Sequence, residues 1–412
     1  MAVEQVAIFG AGTMGAGIAQ VALTHGCTVR LIDTQPGAVE RARESVGARL
    51  QRQVDRGAMS AEEHAAVLAR LIKGSIDDLA GVELVVEAVI EDLEAKQALF
   101  AQLDAAAPAE AVLATNTSSL AVGEIASPLR NPSRVVGMHF FNPAPVMALV
   151  EVVAAEATSD AAAGLVAETA SAWGKVPART TDAPGFIVNR VARSSYVEAF
   201  RMLDEGVGGP DTIDGAMRKL GQFRMGPMQV ADLVGLEVNY AVTVSVFERS
   251  GQPARFEPPA AQARLVEGGE LGRKTGSGVY DYASDPPGEN AGGEIAPLDL
   301  SPELAAAVDA FVEAAALCDP EELAQASAAE RYAFARILGS VLNEAARALG
   351  DGAASGEDID AAMQHATNYP RGPVAWGQDI GYATLARLLS ALDATRDDDS
   401  YAPAPLIAEA GE

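Results

Sequence analysis

Across 412 residues the chain has only two cysteines, Cys27 and Cys318, and they lie far apart. That excludes a disulfide framework and a thiolate metal cluster, and it suits a reducing compartment, the cytoplasm. No run of about eighteen uncharged apolar residues occurs, so no membrane span is expected. The first apolar run opens at Val6, which leaves no room for a signal peptide. Positive charge is scarce: 30 Lys and Arg stand against 57 Asp and Glu, a formal net charge of -27. A nucleic-acid partner is therefore not expected, and most of the acidic excess reads as a solvated, solubilising face. Lysine is the rarer cation, with only Lys73, Lys96, Lys175, Lys219 and Lys274, so an anionic ligand needs locally clustered basic residues. What is present is a hydrophobic content of 49%, ample for packed cores, and a length that calls for two or three domains.

The N-terminus carries the first chemistry. Val6-Ala7-Ile8-Phe9 reads as a buried strand, Gly10-Ala11-Gly12-Thr13-Met14-Gly15 as a glycine turn, and Ala16 to Leu23 as a helix. Cys27 to Ile32 is a second strand, closed by Asp33. Strand, glycine turn, helix, strand and acid together form the dinucleotide-binding fingerprint. Gly10 allows the tight turn, Gly12 lets the backbone approach a pyrophosphate, and Gly15 lets the helix pack on the sheet. The N–H groups around Thr13 and Met14 open the helix towards phosphate. Asp33 accepts from ribose hydroxyls and repels a 2′-phosphate, so NAD is expected rather than NADP.

Strand and helix then alternate. Glu83 to Val89, Ala111 to Thr115, Val135 to Phe140 and Leu149 to Val153 read as strands, and Leu93 to Leu103 as a helix. This pattern predicts a parallel, doubly wound sheet, whose ligands bind off the carboxyl ends of its strands. Glu91, Asn116, Ser118 and His139 all fall at or just after such ends. For Ser118 a helix cap is the plain alternative.

The segment Gly137 to Glu151 places His139 twelve residues before Glu151, each inside a strand-like run. Histidine is the default general base near neutrality, and a carboxylate that holds the imidazole fixes its tautomer. The same spacing also fits a core histidine beside a surface glutamate. The other histidines, His25, His64 and His365, have no comparable setting.

After Asp182-Ala183-Pro184-Gly185 the pattern turns helical. Phe186 to Arg190 opens a long helix with an apolar stripe at Val188, Val191, Ala192, Ala199, Met202 and Leu203. Asn189 sits near its start, where a cap, a solvent-facing position and a place in the site are all open. The rest contains a repeat at a constant shift of 146 residues: Arg190 recurs as Arg336, Ser194 as Ser340, Glu198 as Glu344, Arg201 as Arg347, Ile213-Asp214 as Ile359-Asp360, Met217 as Met363, and Gly226-Pro227 as Gly372-Pro373. The second copy has Ala335 where the first has Asn189, and no counterpart of the Lys274 loop. It reads as a structural domain.

With these pieces in place the chain resembles the NAD-dependent L-3-hydroxyacyl-CoA dehydrogenase family. The resemblance rests on Gly10 to Gly15, Asn116 to Leu120, Gly137 to Glu151, Pro184 to Arg190 and Leu271 to Gly278, in the family's order. It implies that His139 is the general base, held by Glu151. It implies that Ser118 and Asn189 bond the reacting oxygen and thioester region, and that Asn116 and Asn142 lie near the nicotinamide. Glu91 and Lys96 would lie near the cofactor ribose, and Lys274 would approach the cofactor. Arg52 and Arg56 would serve the CoA phosphates, although Asp55 stands between them. The expected organisation is a Rossmann-type α/β domain (1–183), a helical domain (184–283), a linker (284–300) and a degenerate second helical domain (301–412). The acyl-CoA substrate is expected to be short, such as 3-hydroxybutyryl-CoA, with 3-hydroxyadipyl-CoA as the alternative and a catalytically silent crystallin-like protein as the reading of another class. A homodimer, or a monomer whose two helical copies form an internal pseudo-dimer, is the expected assembly.

Overall fold

The computed structural model describes residues 3–293 and 295–411. The chain divides into two compact units, one ending at Phe186 and the other starting at Ile187.

The first unit runs β1 (Gln5–Phe9), α1 (Thr13–Thr24), β2 (Thr28–Ile32), α2 (Ala38–Asp55), α3 (Ala61–Ala69) and β3 (Leu71–Lys73). It continues through β4 (Leu84–Glu87), α4 (Leu93–Ala106), β5 (Val112–Thr115), α5 (Val122–Ala126), β6 (Val135–Phe140), β7 (Leu149–Ala154), α6 (Asp160–Ala172) and β8 (Val176–Thr181). Among the described residues these strands form one eight-stranded sheet, in the order β3-β2-β1-β4-β5-β6-β7-β8. Successive side chains face opposite sides. Val6, Ile8, Leu84, Val86, Val136 and Met138 pack in one core with residues of α1, α2 and α6. Ala7, Phe9, Val85, Leu113, Val135 and Val153 pack in the other with residues of α4 and α5.

The sheet departs from the expected parallel pattern at its last two strands, β7 and β8, which pair parallel with each other and run against the other six. All pairs from β3 to β6 are parallel, but β7 runs antiparallel to β6. Residues 141–148 connect them, fewer than the dozen or so that a parallel crossover needs. The edge strands β3 and β8 have no apolar run to announce them. Their burial is partial and broken, as expected where one side of a strand lacks a neighbour.

The second unit contains α7 (Val188–Val191), α8 (Arg193–Asp204), α9 (Pro210–Gly221), α10 (Pro227–Val234), α11 (Leu236–Arg249) and α12 (Ala260–Glu267). A two-stranded ribbon, β9 (Tyr280–Asp281) and β10 (Gly288–Glu289), follows. The remaining helices are α13 (Pro302–Ala315), α14 (Pro320–Gln325), α15 (Ala328–Gly350), α16 (Gly356–Thr367), α17 (Pro373–Ile380), α18 (Tyr382–Asp393) and α19 (Pro405–Gly411). The long helix expected from Phe186 is two helices. Gly185 and Phe186 both have positive φ, the first turn starts only at Val188, and the helix is interrupted at Ala192. In the second copy, α15 is one unbroken helix of 23 residues.

Residues 146 positions apart hold corresponding places. Arg190 donates to Glu344 Oε1 at 2.6 Å and to Asp351 Oδ2 at 2.6 Å, while Arg336 donates to Glu198 Oε2 at 2.9 Å and also pairs with Glu205. Glu344 takes a further bond from Arg255 Nε at 2.8 Å, and Glu198 one from Tyr401 at 2.7 Å. Phe223 meets Tyr369 edge to face, with ring centroids 4.9 Å apart. Each arginine thus bonds the acid of the other copy, the exchange that defines a two-fold interface. Burial pushes Glu198 up, but Arg336 and Arg201 outweigh it and hold its carboxyl below the ordinary range. Part of the segment expected as a linker is tied down too: Glu289 accepts from Asp211 N at 2.7 Å.

No single helix among the described residues is long and apolar enough to cross a membrane; α10 and α11 reach that apolarity only jointly and are bent by 107°. Cys27 and Cys318 are both free thiols.

Candidate active site

Parallel pairing brings the carboxyl ends of β1, β2, β4, β5 and β6 to one edge of the sheet. That edge carries the glycine turn, Asp33, Glu91, the 116–119 turn and His139. The turn is built for close approach. Gly10 has φ +103, and a Cβ there would lie 2.3 Å from Ala88 O. A Cβ on Gly15 would lie 1.8 Å from Gly10 O, whereas one on Gly12 would meet nothing within 4 Å. The open space over Gly12, beside the free end of α1, fits a dinucleotide pyrophosphate. Thr13 is exposed and Met14 half-buried at that helix start. Asp33 is tied to the turn: Ala11 N donates to its Oδ2 at 2.7 Å and Gln35 N to its Oδ1 at 2.8 Å. Each oxygen keeps a second acceptor site for ribose hydroxyls.

His139 and Glu151 are direct partners across the antiparallel β6–β7 pair. The twelve-residue spacing is thus a hairpin register. The imidazole Nδ1 lies 2.7 Å from Glu151 Oε2, and Glu151 is 0% exposed. Nδ1 facing a carboxylate carries the proton, which leaves Nε2 as the basic nitrogen. The ring is packed by Phe141 at 4.5 Å and by the edge of Phe186 at 5.8 Å, centroid to centroid. Asn116 joins this strand to the next: Phe140 N donates to its Oδ1 at 2.8 Å, which orients the amide with its Nδ2 as the donor for a ligand.

Glu91 gathers the serine turn. Its Oε1 accepts from Thr117 Oγ1 at 2.6 Å, Ser118 N at 2.9 Å, Ser119 Oγ at 2.9 Å and Ser119 N at 3.1 Å. Burial pushes its carboxyl up, but Lys96 and these donors outweigh burial and hold it below the ordinary range. Lys96 is not an open cation. It is buried, 2.6 Å from Glu87 Oε1 and 3.3 Å from Glu91 Oε2. Indeed every lysine is committed to the protein. Lys73 pairs with Glu40, Lys175 donates to Ala144 O and Met147 O, Lys219 pairs with Glu330, and Lys274 with Glu237.

The cations beside the glycine turn's helix are arginines. A cavity of about 260 Å³ is lined by Thr13, Gln20, Arg49, Arg52, Arg56 and the loop from Asn142 to Val146. Arg52, Arg56 and Asn142 are therefore brought together with the glycine turn's helix. Arg49 was not read from the sequence, although it lies one helical turn before Arg52 on the face that Arg56 continues. Its Nε donates to Gln20 Oε1 at 2.5 Å, and burial and the neighbouring Arg52 lower its pKa from the ordinary value. Asp55, which stands between Arg52 and Arg56 in sequence, does not line this cavity. Asn189 and Lys274 belong to the second compact unit. Glu87 is a further residue that sequence reasoning missed; an acid closing a strand, as Asp33 does, was the available signal.

The sequence model of the 3-hydroxyacyl-CoA dehydrogenase NAD-binding domain matches residues 5–183, and that of the C-terminal domain matches 185–282 and again 332–412. The chain belongs to the 3-hydroxyacyl-CoA dehydrogenase family. Its relatives in this family are NAD-dependent enzymes, and NAD is the cofactor. It is 39% identical to 3-hydroxyadipyl-CoA dehydrogenase of Escherichia coli K12, over 98% of this chain and 97% of that one. It is 37% identical to a probable 3-hydroxybutyryl-CoA dehydrogenase of Bacillus subtilis, which matches 68% of this chain. The crystal structure of a 3-hydroxybutyryl-CoA dehydrogenase from Escherichia coli K12 superimposes with a TM-score of 0.87 at 38% identity, covering 100% of this chain and 98% of that one.

Proposed function

We propose that this dehydrogenase oxidises an (S)-3-hydroxyacyl-CoA to the 3-ketoacyl-CoA, with His139 as general base. The observation that carries this reading is the buried His139–Glu151 pair, set at the sheet edge that also holds the glycine turn. NAD, held by the glycine turn and Asp33, would supply the acceptor for the hydride that leaves C3. His139 takes the hydroxyl proton at Nε2, and Glu151 balances the imidazolium that forms. A base so placed contributes about 10²–10⁴-fold. Ser118 and Asn189 bond the reacting oxygen and thioester region. Asp33 reads the ribose, Gly10, Gly12, Thr13, Met14 and Gly15 form the turn that holds the pyrophosphate, and Glu91, Asn116, Asn142 and Lys274 serve the rest of the cofactor, with Lys96, buried behind Glu91, acting through that carboxylate. Arg52 and Arg56, joined by Arg49, take the CoA phosphates, supported by their shared cavity. A cytoplasmic location is supported by the two free thiols.

An NADH-linked absorbance assay with acetoacetyl-CoA tests the reading. We expect His139→Gln to lower kcat by about 10³-fold with NAD affinity retained. Equal turnover in the variant would remove His139 from the mechanism. For the acyl group, a short chain such as 3-hydroxybutyryl-CoA is the first reading. The second, 3-hydroxyadipyl-CoA, is favoured by the relative that matches 98% of this chain and bears that name. A panel of CoA thioesters of graded length, with and without a terminal carboxylate, separates them by kcat/KM.

A further inference from the structure

Glu87 closes β4 and is fully buried, yet no step above uses it. Its Oε1 accepts from Lys96 Nζ at 2.6 Å and from Val89 N at 2.7 Å, and its Oε2 from Thr115 Oγ1 at 2.7 Å. A buried carboxylate of this kind is costly to desolvate and adds little net stability even when paired. What surrounds it points to placement. Thr115, by donating to Glu87, turns its own oxygen to accept Thr117 N at 3.2 Å. Asn116 N donates to Glu87 O at 2.8 Å, and Asn116 Oδ1 holds the end of the His139 strand. Beyond Lys96 stands Glu91, which touches the lysine through Oε2 and collects the 117–119 turn through Oε1. One lysine is thus shared between a carboxylate behind it and a carboxylate in front of it. Both carboxylates grip the same turn, one at Thr115 and the other at Thr117 to Ser119.

The charge balance makes the sharing consequential. With Glu87 ionised, Lys96 is already neutralised and leaves Glu91 to the turn. With Glu87 neutral, Lys96 is a buried cation with one remaining acid within 4 Å, and it draws Glu91 towards itself and off the serine amides. We propose that Glu87 is a positioning residue of the dehydrogenase: by holding Lys96 it keeps Glu91 on the 117–119 turn and so fixes Ser118 relative to His139. This rests on the reading that Ser118 meets the substrate and His139 is the base.

The test is steady-state kinetics on the full chain, with NADH affinity from fluorescence titration and Tm from circular dichroism. Glu87→Gln is expected to lower kcat by about 10–100-fold while KM for acetoacetyl-CoA stays within about threefold, the pattern of a lost transition-state interaction, and Kd for NADH, which Glu91 also serves, rises by less than kcat falls. Thr115→Val, a milder change that survives if Glu87→Gln does not fold, is expected to lower kcat about 3–10-fold, and Thr115→Ser to restore it. The decisive readout is coupling. In a Ser118→Ala background, Glu87→Gln should cost less than about threefold further, because the group it positions is gone; a purely structural role would multiply the two losses. Losses that multiply, or a Tm drop with kcat intact, overturn the proposal. The site reading has its own control. If Ser118→Ala turns over like the parent, that reading fails; if Ser118→Ala is impaired while Glu87→Gln and Thr115→Val are not, only the positioning role falls.

Discussion

The two helical copies of the second unit share a scaffold and differ in what was built on it. In both, an aspartate caps a later helix: buried Asp214 accepts from Met228 N and Gln229 N, and half-buried Asp360 from Val374 N and Ala375 N. In both, a residue at the end of the preceding helix, Gln222 or Asn368, takes a left-handed conformation. The exchanged arginine–glutamate pairs are kept on both sides. What differs is the first long helix. It is interrupted at Ala192, three residues after half-buried Asn189, in the first copy, and runs unbroken through fully buried Ala335 in the second. Packing residues have stayed because each copy needs the other's acid. Where the first copy has Asn189, the second has an alanine that is fully buried.

The hardest break is to remove one side. We propose that the second copy closes the face through which single-copy chains would pair. A chain ending at residue 284 would strip Arg190 of Glu344 and Asp351, and Glu198 of Arg336 and Tyr401, and it is expected to dimerise or precipitate. A well-behaved, fully active monomer by sedimentation would dismiss the pseudo-dimer. Next, Arg190→Met and Arg336→Met each leave a buried glutamate short of charge and should cost about 3–5 kcal/mol in urea unfolding. The loss should be greater at Arg336, whose partner Glu198 and own side chain are both 3% exposed. A smaller loss at Arg336 than at Arg190 would argue against equivalent roles. Smaller again, Asn189→Ala should lower kcat by about 10²-fold with little change in stability. Ala335→Asn should leave kcat alone and cost about 1–3 kcal/mol, because it buries an unsatisfied amide. The same kinetic effect from both variants would erase the difference between the copies.

The subtlest comparison is in pH. Burial pushes Asp214 up to about 7 and also raises Asp360. A carboxyl raised in the folded state keeps its proton where the unfolded chain has lost it. Its contribution is therefore whole below about pH 4 and is lost as pH rises towards 7. Asp214→Asn should flatten that slope in unfolding free energy between about pH 4 and 7, and Asp360→Asn, at a less buried site, should flatten it less. Equal slopes in parent and variants would show that the carboxylate's donors, Tyr280 included, cancel the cost of burial.

Much of the first unit was legible because its signals are local. The glycine turn, the closing Asp33 and the apolar runs of the central strands each announce an element within a few residues. The edge strands β3 and β8 were not legible, since half-exposed strands carry mixed side chains. The reversal of β7 was hidden because direction is set by how far a connection can reach. At the site, His139 and Glu151 were named from spacing alone, but a spacing of twelve fits many geometries. Lys96 read as a scarce cation in a good place, and the fold spends it on Glu87. Arg49, which the cavity does present, was overlooked beside Arg52 and Arg56.

The order of residues by itself determined the nucleotide turn, the alternation of strand and helix, the repeat at 146 and the identities of the acid, base and amide candidates. The turn and the alternation follow from steric and hydrophobic rules that act over one or two turns of chain, the repeat from a constant register, and the amide candidates from the family resemblance. Only the tertiary structure decided which face each side chain took, that His139 and Glu151 are register partners, that Lys96 is buried against Glu87, and that Glu87 reaches the serine turn through Lys96. Such facts depend on strand register and on charge pairing between residues distant in sequence, where proximity is created by the packed core and by nothing in the local chain.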